Sequence, residues 1–289
     1  VRAVSTRSPR SVIRRRAGEI QEGILIRYRE HQPAPALRDA VQCYWTLHGA
    51  VDGAAPARNR VLPDGCMDIL FDLGERGVGG ERARVIGAME SAAVVWLRGS
   101  VDLLGVRFRP GGAPRFLAER ASELTRRTAP LSALWGALVE GLLDRLRAAP
   151  PLQRAGLLDA MLLDRRRPDP RDEQVLAAGR IIAASGGTVA VRAVRQALGV
   201  SARQLERRFE ELVGVPPRFA CKVARFQQSV DLALRRPDLP LARLAAEAGY
   251  YDQPHFTREF KALAGITPAG FLAERRSVVF VQDDAGRVA

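Results

Sequence analysis

One phrase occurs twice in this chain, and that repetition limits what it can fold into more than any other feature. "RRFEELVGVPP" (Arg207 to Pro217) and "REFKALAGITP" (Arg258 to Pro268) both fit R-x-F-x-x-L-x-G-[VI]-x-P. A repeat of this size is one supersecondary unit built twice. In the second copy Leu241, Leu244, Ala245 and Ala248 lie at helical spacing. Gly249 then permits a sharp turn, and Asp252 caps the next helix. Phe256, Phe260 and Leu263 follow at i, i+4, i+7 and form one inward stripe. In the first copy Gly199 is the turn, Ser201 and Gln204 form a capping box, and Leu205, Phe209 and Leu212 point inward. A short helix, a small residue at the crossing, a turn glycine and a second helix make a helix-turn-helix. Copy one departs at Arg195, which stands where copy two has Ala245. Either its guanidinium snorkels outward or the first helix is shifted.

Between the copies, Pro216 to Arg236 reads as one helix, with Phe219, Val223, Phe226, Val230 and Leu234 as its stripe. About 18 residues at 1.5 Å each give a rod of roughly 27 Å. Successive major grooves on one face of DNA are ~34 Å apart, so such a rod suits two recognition helices in adjacent grooves. The outward positions are Arg203, Glu206, Arg207 and Glu210 on the first recognition helix, and Gln253, His255, Thr257, Arg258 and Ala262 on the second. Arginine reads guanine O6/N7 in bidentate fashion, and glutamine reads adenine N6/N7.

Charge supports a polyanionic partner. The formal net charge is +13, unevenly spread: residues 1–16 hold six arginines and no acid, and residues 171–276 hold 17 basic against 11 acidic residues. A cationic excess on one domain attracts nucleic acid. Arginine richness is also what a biased genome composition produces, since the chain has only two lysines. No run approaches the length of a membrane helix, and residues 1–20 lack the apolar centre of a signal peptide. Three cysteines without a CxxC pair suit a reducing cytoplasm, so the expected location is cytoplasmic, at the nucleoid.

The first half reads differently. Residues 1–17 are expected to be a disordered basic tail. From about 20 to 110, short β-branched and aromatic runs punctuated by Gly and Pro predict a barrel or sandwich. Helices follow to about 165, among them "LSALWGALVEGLLDRL", with Leu131, Leu134, Trp135, Leu138, Leu142 and Leu146 on one face. "RRRPDPRD" (Arg165 to Asp172) is charged, proline-broken and without an apolar anchor. The expected fold is therefore a two-domain α+β chain. A β-rich unit with trailing helices spans 18–165, a linker 166–172, an all-α unit of two helix-turn-helices 173–276, and a tail 277–289.

Residues 173–276 resemble the DNA-binding domain of AraC/XylS-family transcription regulators. The resemblance rests on "LGVSARQLERRFEELVGVPP" and on "AEAGYYDQPHFTREFKALAGITPAGF", with its G-[FY]-x-D-Q-x-H-F-x-R-x-F-K order. It implies seven helices, recognition helices in consecutive major grooves, and RNA polymerase as a partner besides double-stranded DNA. By motif position it makes Arg203, Glu206, Arg207, Gln253, His255, Thr257 and Arg258 the DNA-facing residues. Family members usually carry a second domain for effector sensing or dimerisation, so a small-molecule effector and a homodimer are expected partners. Residues 20–165, with "VLPDGCMDILFDL" and "GVRFRPGGAPRFL", resemble the uncharacterised domain that often accompanies this unit. That likeness implies a cupin-like β-barrel followed by helices.

The residues for a ligand in that domain are Trp45, Asp64, Cys66, Asp68 and Trp96. Each has a plainer reading: Asp64, Asp68 and Asp72 line a pocket or alternate outward on a strand, and Trp45 and Trp96 stack on an effector or pack in the core. Cys43 and Cys66 are a redox pair or buried structural cysteines. The competing functional class is a DNA-tethered protein whose first domain has metal-dependent or catalytic chemistry. A metal centre needs clustered histidines and carboxylates, and that half has only His31 and His48. Relatives that repair methylated DNA through a zinc-held cysteine need four cysteines near the N-terminus, where this chain has two. The expectation is no enzyme, no metal and no cofactor.

Overall fold

The structure, a computed structural model, describes residues 24–51, 56–74, 80–167, 170–277 and 280–282. The basic tail expected at residues 1–17 lies outside them. The strands are β1 (Ile24–His31), β2 (Val41–Val51), β3 (Ala57–Val61), β4 (Asp68–Asp72), β5 (Ala83–Ile86), β6 (Ala93–Leu97), β7 (Gly99–Phe108), β8 (Thr128–Pro130) and β9 (Phe280–Gln282). The helices begin with α1 (Pro114–Leu117), α2 (Ala121–Leu124), α3 (Leu131–Trp135), α4 (Leu138–Ala148) and α5 (Pro151–Arg165). They continue with α6 (Pro170–Ala184), α7 (Val191–Ala197), α8 (Ala202–Leu212), α9 (Pro217–Arg235), α10 (Leu241–Glu247), α11 (Gln253–Ala264) and α12 (Pro268–Ser277).

Seven strands form one sheet in the order β8-β5-β4-β7-β2-β1-β9, and β3 pairs with β6 in a second, two-stranded sheet. All pairings are antiparallel except β1 with β9. The period-2 pattern of the sequence works as expected: adjacent residues face opposite layers. Tyr44, Ile69, Phe71, Leu104, Val106 and Phe108 pack toward the helices. Ile26, Leu47, Leu70, Val101 and Leu103 pack toward Ala57 and Leu97 of the small sheet. The N-terminal unit is thus β-rich with trailing helices, and residues 170–277 contain seven helices, as the resemblance implied.

Three local expectations need correction. "LSALWGALVEGLLDRL" is two helices, because Gly136 takes φ +64 and ends α3. The break rotates Leu138 off the stripe and leaves it 66% exposed. The arginine run at 165–167 does have anchors: Arg165 lies 4.6 Å from the centre of the Trp135 ring, and Arg166 pairs with Asp39 at 2.6 Å. Part of the expected tail is a strand, since Phe280–Gln282 pairs with Ile26–Tyr28 of β1.

Core membership does not follow the chain's midpoint. One cluster runs from Phe108 and Phe116 through Val175 and Ile182 to Leu205, Phe209, Leu212 and Cys221. The first helix-turn-helix therefore shares its core with the β-rich half. The second has its own cluster: Val223, Phe226, Val230, Leu244, Phe256, Phe260 and Phe271.

Candidate nucleic-acid interface

Both α8 and α11 begin with the cap their sequence specifies. In α8 the Gln204 N–H donates to Ser201 Oγ at 3.2 Å, and the Ser201 N–H donates back to Gln204 Oε1 at 2.9 Å. In α11 the His255 N–H donates to Asp252 Oδ1 at 2.7 Å. The turns before them are made by Gly199 at φ +64 and Gly249 at φ +79, where a side chain would be strained. The question at Arg195 is settled by the backbone. The Val200 N–H bonds Arg195 O at 3.1 Å just as the Tyr250 N–H bonds Ala245 O at 2.9 Å. The helix is not shifted, and Arg195 is only half-buried where Ala245 is fully buried, so its side chain leaves the crossing.

The inward stripes are as predicted: Leu205, Phe209, Leu212, Phe256, Phe260 and Leu263 are all buried. Arg203, Glu206, Arg207, Gln253 and Arg258 are exposed, while His255 and Thr257 are half-buried. Among the described residues Arg203, Arg207 and Arg258 have no ion-pair partner, so their guanidinium groups are free to bind an anion. His255 is more engaged. Its ring meets Tyr250 edge-on at 5.4 Å, and its Nε2 lies 3.8 Å from Glu259. Glu259 in turn accepts from Arg225 of α9 at 3.0 and 3.1 Å, which neutralises that carboxylate. Burial and the neighbouring Glu259 push the Tyr250 phenol well above its usual range, so it stays protonated. Sequence reasoning missed this Arg225–Glu259 pair, because its partners come from different helices 34 residues apart.

Four of the five ligand candidates come together around Arg107, which had not been singled out. Arg107 Nη2 donates to Asp68 Oδ2 at 3.1 Å, and its Nε lies 3.3 Å from Asp64 Oδ2. Trp45 Nε1 donates to the same Asp68 oxygen at 3.0 Å. Its ring lies across Gly105, where a Cβ would stand 2.0 Å from it. The Cys66 N–H donates to Asp64 Oδ1 at 2.9 Å. Burial raises the Asp68 carboxyl above the usual carboxylate range, and Arg107 opposes that shift. Burial also raises the Cys66 and Cys43 thiols, with Asp64 and Glu30 respectively adding to it, which keeps both as unreactive thiols. Trp96 is elsewhere, 53% exposed on β6. The signal for Arg107 was a charged residue inside the apolar run of β7, between Val106 and Phe108. Among the described residues no cluster of three or more His, Cys, Asp or Glu is arranged to hold a metal, and no helix is long and apolar enough to cross a membrane.

A family model described as "Helix-turn-helix domain" matches residues 195–274, covering α8 to α11 and most of α12. Residues 195–274 are an AraC-type helix-turn-helix domain. This AraC-type domain follows a match to "Domain of unknown function (DUF6597)" over residues 29–130. A helix-turn-helix domain is a DNA-binding unit, and its presence supports a DNA-binding transcriptional regulator. Among solved structures, it is similar to ToxT from Vibrio cholerae O395, at 12% identity over 81% of this chain and 99% of that one, with a TM-score of 0.39. It is also similar to ToxT of V. cholerae strain SCE256 bound to an unsaturated fatty acid, at 13% identity over 88% and 97%, TM-score 0.38. A third is a xylose-binding transcription activator, xylR, at 21% identity over 52% and 40%, TM-score 0.31. No curated protein sequence matches the chain.

Proposed function

We propose that α8 and α11 enter successive major grooves of one DNA face, and that Arg203, Glu206, Arg207, Gln253, His255, Thr257 and Arg258 face the DNA. The observation that carries this reading is the pair of like-capped helices flanking the 19-residue α9, whose length is about 28 Å. Residues 18–165 form the modulating unit in this reading, joined by 166–172 to a DNA-binding unit at 173–276. The Trp45–Asp68–Arg107–Asp64 cluster is its candidate effector site. RNA polymerase and a second copy of the chain are the expected protein partners.

Arg207 and Arg258 test the reading because they are repeat-equivalent, each two residues past an inward anchor (Leu205 and Phe256). Substituting either by alanine is expected to cost about 1–3 kcal/mol of binding and to relax base preference in one half-site only. The two affected half-sites are expected ~10–10.5 base pairs apart. The halves will be unequal. Exposed Glu206 and Glu210 repel phosphate on α8, whereas Glu259 on α11 is neutralised by Arg225. The second unit then supplies more non-specific affinity, and the first more selectivity. Footprints and base-substitution series on both variants check this. Uniform weakening on every sequence would make these arginines phosphate contacts, and an effect on one shared half-site would end the two-groove reading.

A further inference from the structure

The repeated phrase ends each recognition helix with a glycine, Gly214 after α8 and Gly265 after α11. Both take positive φ, +86 and +74. At each of these equivalent ends a side chain from the N-terminal half takes hold. Thr125, which ends α2, directs Oγ1 to Gly214 O at 2.8 Å, sharing its proton with Ala121 O at 3.0 Å. A Cβ on Gly214 would stand 2.2 Å from that hydroxyl, so the approach needs glycine. Arg60 of β3 donates through Nη1 to Ala264 O, the last carbonyl of α11, at 2.9 Å, and through Nε to Glu274 of α12 at 3.0 Å. The Ala92 N–H takes the neighbouring carbonyl, Leu263 O, at 2.7 Å. Leu263 O and Ala264 O are at the negative end of the α11 dipole, where hydrogen-bond donors and a cation are favoured, and Gly214 O lies in the turn just past the corresponding end of α8.

Arg60 is not placed there for packing alone. Its side chain is only 7% exposed, it holds two acceptors on different helices, and its Nη2 is buried without a partner. A buried, incompletely satisfied guanidinium is costly, so position rather than stability accounts for it. The two helices also need separate holds. The buried residues of α8 belong to the core of the N-terminal half, while those of α11 belong to the second cluster. Both holds lie at or just past the C-terminal ends of the helices and leave Arg203, Arg207, Gln253 and Arg258 exposed.

We propose that Thr125 and Arg60 are positioning residues for DNA reading, through which the N-terminal half grips the repeat-equivalent ends of both recognition helices and sets the half-site spacing the protein accepts. The inference rests on the two-groove reading above. One base pair of added spacing displaces a half-site by ~3.4 Å and turns it by about 34°, so a rigidly held pair of helices must discriminate against it.

The experiment uses the full chain and DNA duplexes selected by the wild type from a random library. The sequence between the selected half-sites is then lengthened or shortened by one and two base pairs. The wild type is expected to lose on the order of tenfold in affinity per added base pair. Arg60→Ala and Thr125→Val are expected to flatten that profile to about threefold or less while keeping base preference within each half-site. Thr125→Ser, which retains the hydroxyl, restores the wild-type profile. Thermal melts confirm that each variant is folded, and Arg60→Lys replaces Arg60→Ala if the latter is not. An unchanged spacing profile overturns the proposal, as does an equal loss of affinity at every spacing, which is what a merely structural role produces. If the wild type selects no two-part sequence, the two-groove reading itself fails, a result distinct from either of these.

Discussion

Phe209→Ala and Phe256→Ala are each expected to destabilise the chain by about 3–5 kcal/mol, the usual cost of emptying a buried phenylalanine site. Both rings are fully buried. The consequences differ because their surroundings differ. Phe209 belongs to the core that continues into the β-rich half, so its loss is expected to lower the main unfolding transition as a whole. Phe256 sits in an aromatic stack, 5.1 Å from Tyr250 and 5.5 Å from Phe260, and Phe260 is in turn 5.0 Å from Phe226. Such edge-on pairs add about 0.5–1.5 kcal/mol each beyond area burial. Its loss is expected to melt the second helix-turn-helix ahead of the rest and split the transition in two. Denaturant unfolding followed by circular dichroism measures both. Either variant remaining as stable as the wild type while losing only sequence preference would mean that the inward and outward faces were assigned in reverse.

DNA affinity is expected to fall steeply with salt. Contacts from six to eight basic groups to phosphate correspond to a slope of log K against log[salt] near about −5 to −7. Between ~50 and ~200 mM salt that is a loss of about a thousandfold to ten-thousandfold. The groups are at hand: Arg192, Arg203, Arg207, Arg218, Arg243, Arg258 and Lys261 are all exposed on α7 to α11. Fluorescence anisotropy on one duplex across a salt series measures the slope. A flat response would remove electrostatics as the source of binding, and the interface with it.

The helical half was legible because its signals are local. Ser201, Gln204 and Asp252 satisfy backbone donors within three residues of themselves, and the stripes repeat within one or two turns. The β-rich half was legible as strands but not as a sheet order, since nothing near β4 in the sequence says that β7 and β5 flank it. The helix break at Gly136 was visible only as one glycine in an otherwise regular stripe, which periodicity alone overrode. The candidate sites divide in the same way. Arg207 and Arg258 follow from helix phase, but Arg107 with Asp68 joins residues 39 apart, and Arg60 reaches a carbonyl 204 residues away. Such pairs depend on the completed fold, and no spacing rule in one sequence announces them.

Core membership changes within α9: Cys221 packs with the first cluster and Val223 with the second. The mechanical seam of the molecule therefore runs through an unbroken helix and not through the proline-rich stretch that marks it on paper. A swinging tether is unavailable at that seam, so any change in angle between the two helix-turn-helix units must twist or bend α9 itself. For anyone grafting the helical half onto another domain, a splice at residues 166–172 would carry Val175, Leu205 and Phe209 away from their own packing partners. A transplant that keeps its interior intact must take the β-rich half along with the first helix-turn-helix.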